Sequence, residues 1–187
     1  MIVNIVSMDP SLRNWGCVNA TLDTATYAIT ITGMNVIQTA EAKSAKKGVR
    51  QNSQDIASAE LLSEGMIEAC RPATIAFAEV PVGSQSARAM ASYGICVGVL
   101  GGCPLPLIQV TPTEVKKAAT GNGTATKEEM IEWAVAKHPE APWPRTSKGV
   151  IIAGRAEHLA DATAAIYAGI KTPEFKSAIG MLASMSK

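Results

Sequence analysis

The sequence lacks the marks of several protein classes. Its 17 basic and 16 acidic residues leave a net charge of +1, so overall charge does not advertise nucleic-acid binding. Any DNA footprint must come from local clusters of Lys and Arg. The four cysteines, Cys17, Cys70, Cys96 and Cys103, form no C-x-x-C pair, and no Cys/His cluster has zinc spacing. They read as small buried hydrophobes in a reducing compartment. No apolar run is both long and glycine-poor enough to span a membrane. Ile95 to Leu107 is too short and carries Gly98, Gly101, Gly102, Pro104 and Pro106. The apolar start, Met1 to Val6, is followed at once by Asp9 and Arg13, with no small-residue cleavage site. The expectation is a cytoplasmic protein that does not engage a membrane. There is no internal repeat.

What is present is core-forming material. Apolar residues make up 47% and charged residues 18% of 187, which favours one well-buried globular domain. Ile2 to Met8 is a buried-strand pattern ending in the turn signal Asp9-Pro10-Ser11. Gly16 to Leu22 and Tyr27 to Val36 read as a hairpin joined through Asp23 to Thr26. Gln38 to Asn52, with Lys43, Lys46, Lys47 and Arg50, reads as a polar loop. Ile56, Leu61, Leu62, Met66, Ile67 and Cys70 approximate a helical stripe that stops at Arg71-Pro72.

Thr74 to Ala78 is a second buried strand, stopping at Glu79. Ser84 to Leu100 is a helix of small residues in which Gly94 and Gly98 suggest close packing. Leu107 to Val110 is a short strand. Thr111-Pro112 with Glu114, and Thr126 with Glu129, carry capping signals for two helices. His138 to Gly149 is a proline-rich loop with His138 expected at the surface. Ala153 to Ile170 and Pro173 to Ser184 close the chain as helices. The fold class is therefore α/β, a mixed sheet covered by helices.

Three carboxylates stand out. Asp9 and Glu79 each end an apolar strand, and Asp161 lies on the late helix. If the two strands are neighbours, their acids emerge side by side, at the strand ends where open α/β sheets bind ligands. Adjacent carboxylates repel unless a cation sits between them. Mg²⁺ suits hard oxygen ligands and keeps waters for a substrate phosphate. Taken singly, each acid also has a plain structural reading, as turn chemistry or a surface charge.

At this point the residues resemble a family. Ile5 to Gly16, reading Ile5-Val6-Ser7-Met8-Asp9-Pro10-Ser11-Leu12-Arg13-Asn14-Trp15-Gly16, is similar to the opening motif of RuvC-type Holliday-junction resolvases. Ile75-Ala76-Phe77-Ala78-Glu79-Val80-Pro81 resembles their second acidic motif, and Ser86 to Gly101 the helix after it. Thr113 to Lys127, a V-K-x-x-x-x-G-x-G-x-A-x-K run, is the most specific match. Glu157-His158-Leu159-Ala160-Asp161-Ala162 resembles the closing motif.

The resemblance implies an RNase H-like mixed five-stranded sheet flanked by helices over residues 1–172, with a helical tail over 173–187. It implies a homodimer that makes paired nicks in branched DNA, a four-way junction, by Mg²⁺-activated water. Two ions would sit in each site, with Mn²⁺ as a substitute. Asp9, Glu79, His158 and Asp161 would hold the metals, with Glu157 a reserve carboxylate. His158 and Asp161, three apart on a helix, can share a face, and His158 could instead hold a phosphate or leaving oxygen. Lys116 and Lys127 match the family's basic positions, and Lys117 and Arg155 extend the phosphate contacts. Arg88 and Lys148 read as solvated.

One departure is plain: no aromatic follows Glu79 in Pro81-Val82-Gly83, where the bacterial members carry one that can stack on an unpaired base. The small-residue helix is the candidate dimer interface. Other functions remain open: a flap, fork or RNA-containing-duplex nuclease using the same site, or a non-catalytic junction-binding protein, against which the intact acids argue. An ATP-handling relative would need two such cores.

Overall fold

A computed structural model describes residues 1–39 and 50–185. The stretch 40–49, most of the expected polar loop, lies outside the described residues. Five strands form one sheet: β1 (Ile2–Asp9), β2 (Asn14–Asp23), β3 (Ile29–Gln38), β4 (Ile75–Glu79) and β5 (Leu107–Val110). Their order is β3-β2-β1-β4-β5. The first three strands pair antiparallel, whereas β4 runs parallel to both β1 and β5. Six helices follow in chain order: α1 (Gln51–Cys70), α2 (Ala87–Gly101), α3 (Pro112–Thr120), α4 (Lys127–Lys137), α5 (Ala153–Gly169) and α6 (Pro173–Met185). This is the expected mixed five-stranded α/β architecture. Among the described residues no helix is long and apolar enough to cross a membrane.

The period-2 alternation of β1 feeds two cores. Val6 and Met8 pack with Trp15, Leu62, Met66, Cys96 and Leu100 under α1 and α2. Val3 and Ile5 join Phe77, Ile108, Ile166 and Phe175 on the opposite face, beneath α3 to α6. The capping signals hold as read: Thr111 and Thr126 accept from the Glu114 and Glu129 amides, and the glutamates reach back to each cap. Each cap stabilises its helix by about 1 kcal/mol.

Several details differ from the sequence reading. α1 begins at Gln51, ahead of the apolar stripe, because polar pairs serve its first turns: Gln51 donates to Asp55, and Asp55 receives Arg88. Its buried stripe is Ser58, Leu62, Met66 and Cys70, while Ile56, Leu61 and Ile67 are exposed. The β2–β3 turn extends to Tyr27, which adopts φ +57. His138 is buried rather than superficial: its ring lies 2.8 Å from the Tyr167 hydroxyl, its other nitrogen faces Glu140, and its carbonyl accepts from Trp143 Nε1. Burial holds its pKa below the ordinary histidine value. Cys103 is half-buried. Gly94 and Gly98 meet nothing within 4 Å, so they serve no packing contact within the described chain.

The close contacts lie elsewhere. α5 is lined with alanine, and Ala156, Ala160, Ala162, Ala164 and Ala165 are buried where α5 packs between the sheet and helices α3 and α4. At Gly16, paired with Asp9 across β1 and β2, a side chain would run into the His158 carbonyl. At Gly169 one would strike the Phe77 ring.

These environments give opposite signs for the same substitution. Gly16→Ala should destabilise the fold by about 1–3 kcal/mol through overpacking. Gly180→Ala, in the exposed interior of α6 where a side chain meets nothing within 4 Å, should stabilise it by about 0.5–1 kcal/mol through helix propensity. Urea unfolding of both variants checks the pair, and equal shifts of one sign would refute the packing argument.

Candidate metal and phosphate site

β1 and β4 are adjacent and parallel with Met8 opposite Ala78, so the next residues, Asp9 and Glu79, leave the sheet side by side. α5 crosses above them. Its spacing of three places His158 and Asp161 on the face that looks down on the strand ends. All four expected ligands line one cleft of about 420 Å³, together with Pro10, Ser11, Pro81, Val82, Gly83, Tyr93, Pro112, Lys127 and Glu157.

The closest contact joins His158 Nδ1 to Asp9 Oδ2 at 2.6 Å. His158 Nε2 lies 3.4 Å from Glu157 Oε1, and Glu157 Oε2 lies 2.8 Å from Lys127 Nζ. A chain of alternating charge therefore runs Asp9, His158, Glu157, Lys127 along one wall. Burial pulls the His158 pKa down, but the Asp9 hydrogen bond and the charges of Asp9, Glu157 and Asp161 outweigh it, and the net shift is upward.

The carboxylates oppose one another. Burial, then the charges of Asp9 and Asp161, push Glu79 up to about 8, with Lys116 pulling the other way. Burial and Asp9 push Asp161 up to about 7, against His158 and Lys116. Among the described residues no three His, Cys, Asp or Glu side chains are drawn into a ready-made ion cage. Asp9 is turned onto His158 instead. The donor set nevertheless fits a hard divalent cation: half-buried carboxylate oxygens with unbalanced repulsion, plus an imidazole, opening onto a solvent-connected cleft.

The basic residues divide. Lys116 is half-buried and acts electrostatically on both Glu79 and Asp161, and Lys127 stands in the cleft. Lys117 lines a different cleft, with Glu114, Lys171 and Pro173. Arg155 donates to Gln38 Oε1 in a polar groove beside Asn35, Pro142 and Pro144. Arg88 grips Asp55 through two hydrogen bonds of 2.6 and 2.7 Å. Sequence reasoning missed Tyr93, which α2 carries to the cleft wall from fourteen residues beyond Glu79. No local pattern signals that placement, because it depends on how α2 is set against the sheet.

The five-stranded mixed sheet with its flanking helices has the fold of solved RuvC structures. No family profile and no curated protein matches the chain in sequence. Solved structures do. RuvC from T. thermophilus in complex with a Holliday junction substrate aligns with TM-score 0.63 at 19% identity, over 89% of this chain and 92% of that one. A second T. thermophilus RuvC structure gives 0.61 at 19%, over 96% and 97%. The fowlpox virus Holliday junction resolvase gives 0.50 at 11%, over 88% and 94%.

The electrostatics make a signed prediction. Glu79, Asp161 and His158 all have folded pKa values raised above their unfolded ones. The stability they contribute is complete at low pH, below the unfolded values, and is lost as pH rises through the folded values near 7 and 8. In EDTA the melting temperature should fall by roughly 5 °C or more between pH 5 and 8.5. Millimolar Mg²⁺ should recover it at pH 8.5, and Glu79→Gln should flatten the profile. A profile that rises with pH in EDTA would contradict the acid cluster.

Proposed function

We propose that this chain is a divalent-metal-dependent DNA endonuclease that resolves four-way junctions. The observation that carries the reading is the convergence of Asp9, Glu79, His158 and Asp161 in one cleft on a RuvC-type fold. Those four residues would hold Mg²⁺, two ions per site, with Mn²⁺ as a substitute. When bound, such a pair activates water and stabilises the leaving oxygen of a phosphodiester.

The chain's own residues supply the rest. Lys116 and Lys127 flank the acids and hold the scissile phosphate by charge, without reading sequence. In the free protein Lys127 is occupied by Glu157, so an incoming phosphate competes for it. His158, hydrogen-bonded to Asp9, is held in a fixed orientation toward the cleft. It either ligates an ion or, protonated, donates to a phosphate or leaving oxygen. Lys117 and Arg155, which line two other grooves, extend the track along the backbone away from the cut.

Two matched incisions require two sites related by a two-fold axis. The exposed side of α2 supports a self-complementary pairing: at Gly94 and Gly98 a side chain would meet nothing within 4 Å, and Met90 and Val97 on the same helix are exposed. A homodimer formed there would bring two acid clefts to one junction.

The test is a labelled synthetic four-way junction incubated with the pure protein in Mg²⁺ or EDTA, beside three-way and flap DNA. Cutting should require the metal and favour the four-way junction. Preferred cutting of flaps or forks would move the assignment to a flap or fork nuclease. Asp9→Asn should bind the junction without cutting it, and normal cutting by that variant would overturn the site. Lys116→Ala should lower the single-turnover rate on the order of 100-fold. Lys117→Ala should weaken binding and leave that rate nearly unchanged.

A further inference from the structure

α1 and α2 lie against the same face of the sheet and are clasped at both ends. At their first turns Asp55 of α1 takes the guanidinium of Arg88. At their far ends Cys70, the last residue of α1, faces Cys103, two residues beyond α2, with the sulfurs 3.9 Å apart. Both are free thiols. The first clasp is ionic, and the second is one oxidation away from being covalent.

We propose that Cys70 and Cys103 form a reversible dithiol–disulfide site, closed by small disulfide oxidants. A disulfide needs its sulfurs at about 2 Å, so closure demands roughly 2 Å of approach between side chains that already touch. Cys70 closes α1 and Cys103 follows α2, both at backbone turns: the Ala73 amide donates to the Cys70 carbonyl, and the Cys103 amide to the Leu100 carbonyl.

The two sulfurs have distinct roles. Cys103 is half-buried and reachable, and its contact with Cys70 favours its thiolate. Cys70 is buried and held as the thiol by the same contact and by burial. Cys103 thiolate attacks an external disulfide RS–SR, forming a mixed disulfide and expelling one RS⁻. Cys70 then loses its proton and attacks the Cys103 sulfur, expelling the second RS⁻. Two thiols lose two electrons and two protons overall, and RS–SR becomes two RSH. Cys17 and Cys96 compete poorly, because burial pushes their thiols up to about 12 and about 11.

The bridge would join positions 33 apart in sequence and fix α2 against α1. α2 also carries Tyr93 to the wall of the acid cleft, so oxidation would stiffen that wall.

The experiment treats the full-length protein with oxidised glutathione, then counts thiols and maps peptides by mass spectrometry. Accessible thiols under denaturation should fall from four to two, with one Cys70–Cys103 linked peptide. The melting temperature should rise by roughly 5 °C and return on adding dithiothreitol. Cys103→Ser and Cys70→Ser should each prevent the bridge, the first at a half-buried position where folding is least disturbed. Four persisting thiols, a glutathione adduct on Cys103 that never resolves, a bridge between other cysteines, or a link between chains would each overturn the proposal. No readout depends on nuclease activity, so this site stands or falls separately from the proposed function.

Discussion

The seating of α5 on the β1–β2 hairpin is the contact on which the site depends. Asp9 and Glu79 are fixed by strand pairing alone, but His158 and Asp161 reach them only because the helix backbone comes down onto Gly16. The sequence arranges this with small residues on both partners, glycine on the strand and alanine along the helix. The stabilising return is dispersion and apolar burial over a wide area. The same seating brings His158 within 2.6 Å of Asp9, 149 residues away in sequence.

That placement costs stability. Asp9, Glu79 and Asp161 are packed where burial and mutual repulsion favour the protonated forms of two of them. A protein selected for stability alone would place neutral groups there. Strain of this kind, held by an over-determined scaffold, marks sites whose chemistry needs charge. The surrounding framework can carry it, because both faces of the sheet hold well-buried cores and the α3 and α4 starts are doubly capped.

Much of this was legible in the sequence, and the boundary between legible and hidden is physical. Strands β1 and β4 and their terminal acids announced themselves through apolar runs stopped by Asp9 and Glu79. The caps of α3 and α4 were readable because capping is local. Pairing order was not: that β1 and β4 are neighbours follows from the whole sheet. The polar start of α1 was hidden because its partner, Arg88, lies 33 residues away. His138 read as surface because a loop before proline carries no sign of Tyr167 folding over it. Gly94 and Gly98 looked like packing glycines, and only the three-dimensional arrangement shows that the glycines under pressure are Gly16 and Gly169. Neighbouring lysines also separate only in space: Lys116 and Lys117 differ by about 100° around α3, so Lys116 acts on Glu79 and Asp161 while Lys117 lines another groove.

The near-neutral charge of the chain then acquires a meaning. On the proposed reading, a polyanion must approach a cleft lined by Asp9, Glu79, Glu157 and Asp161. Lys127 is already committed to Glu157, and Lys116 is shared between Glu79 and Asp161. These residues alone give phosphate little net attraction at the place where it must be cut. Divalent cations held by these acids would reverse the local sign and free the lysines from their contacts with the carboxylates. Ion binding and phosphate binding at the acids would then be thermodynamically linked, each strengthening the other by the same factor. Lys117 and Arg155, outside the acid cleft, would hold the backbone before ions bind. On that reading, holding DNA and cutting it would fall to two sets of basic residues that overall charge cannot distinguish.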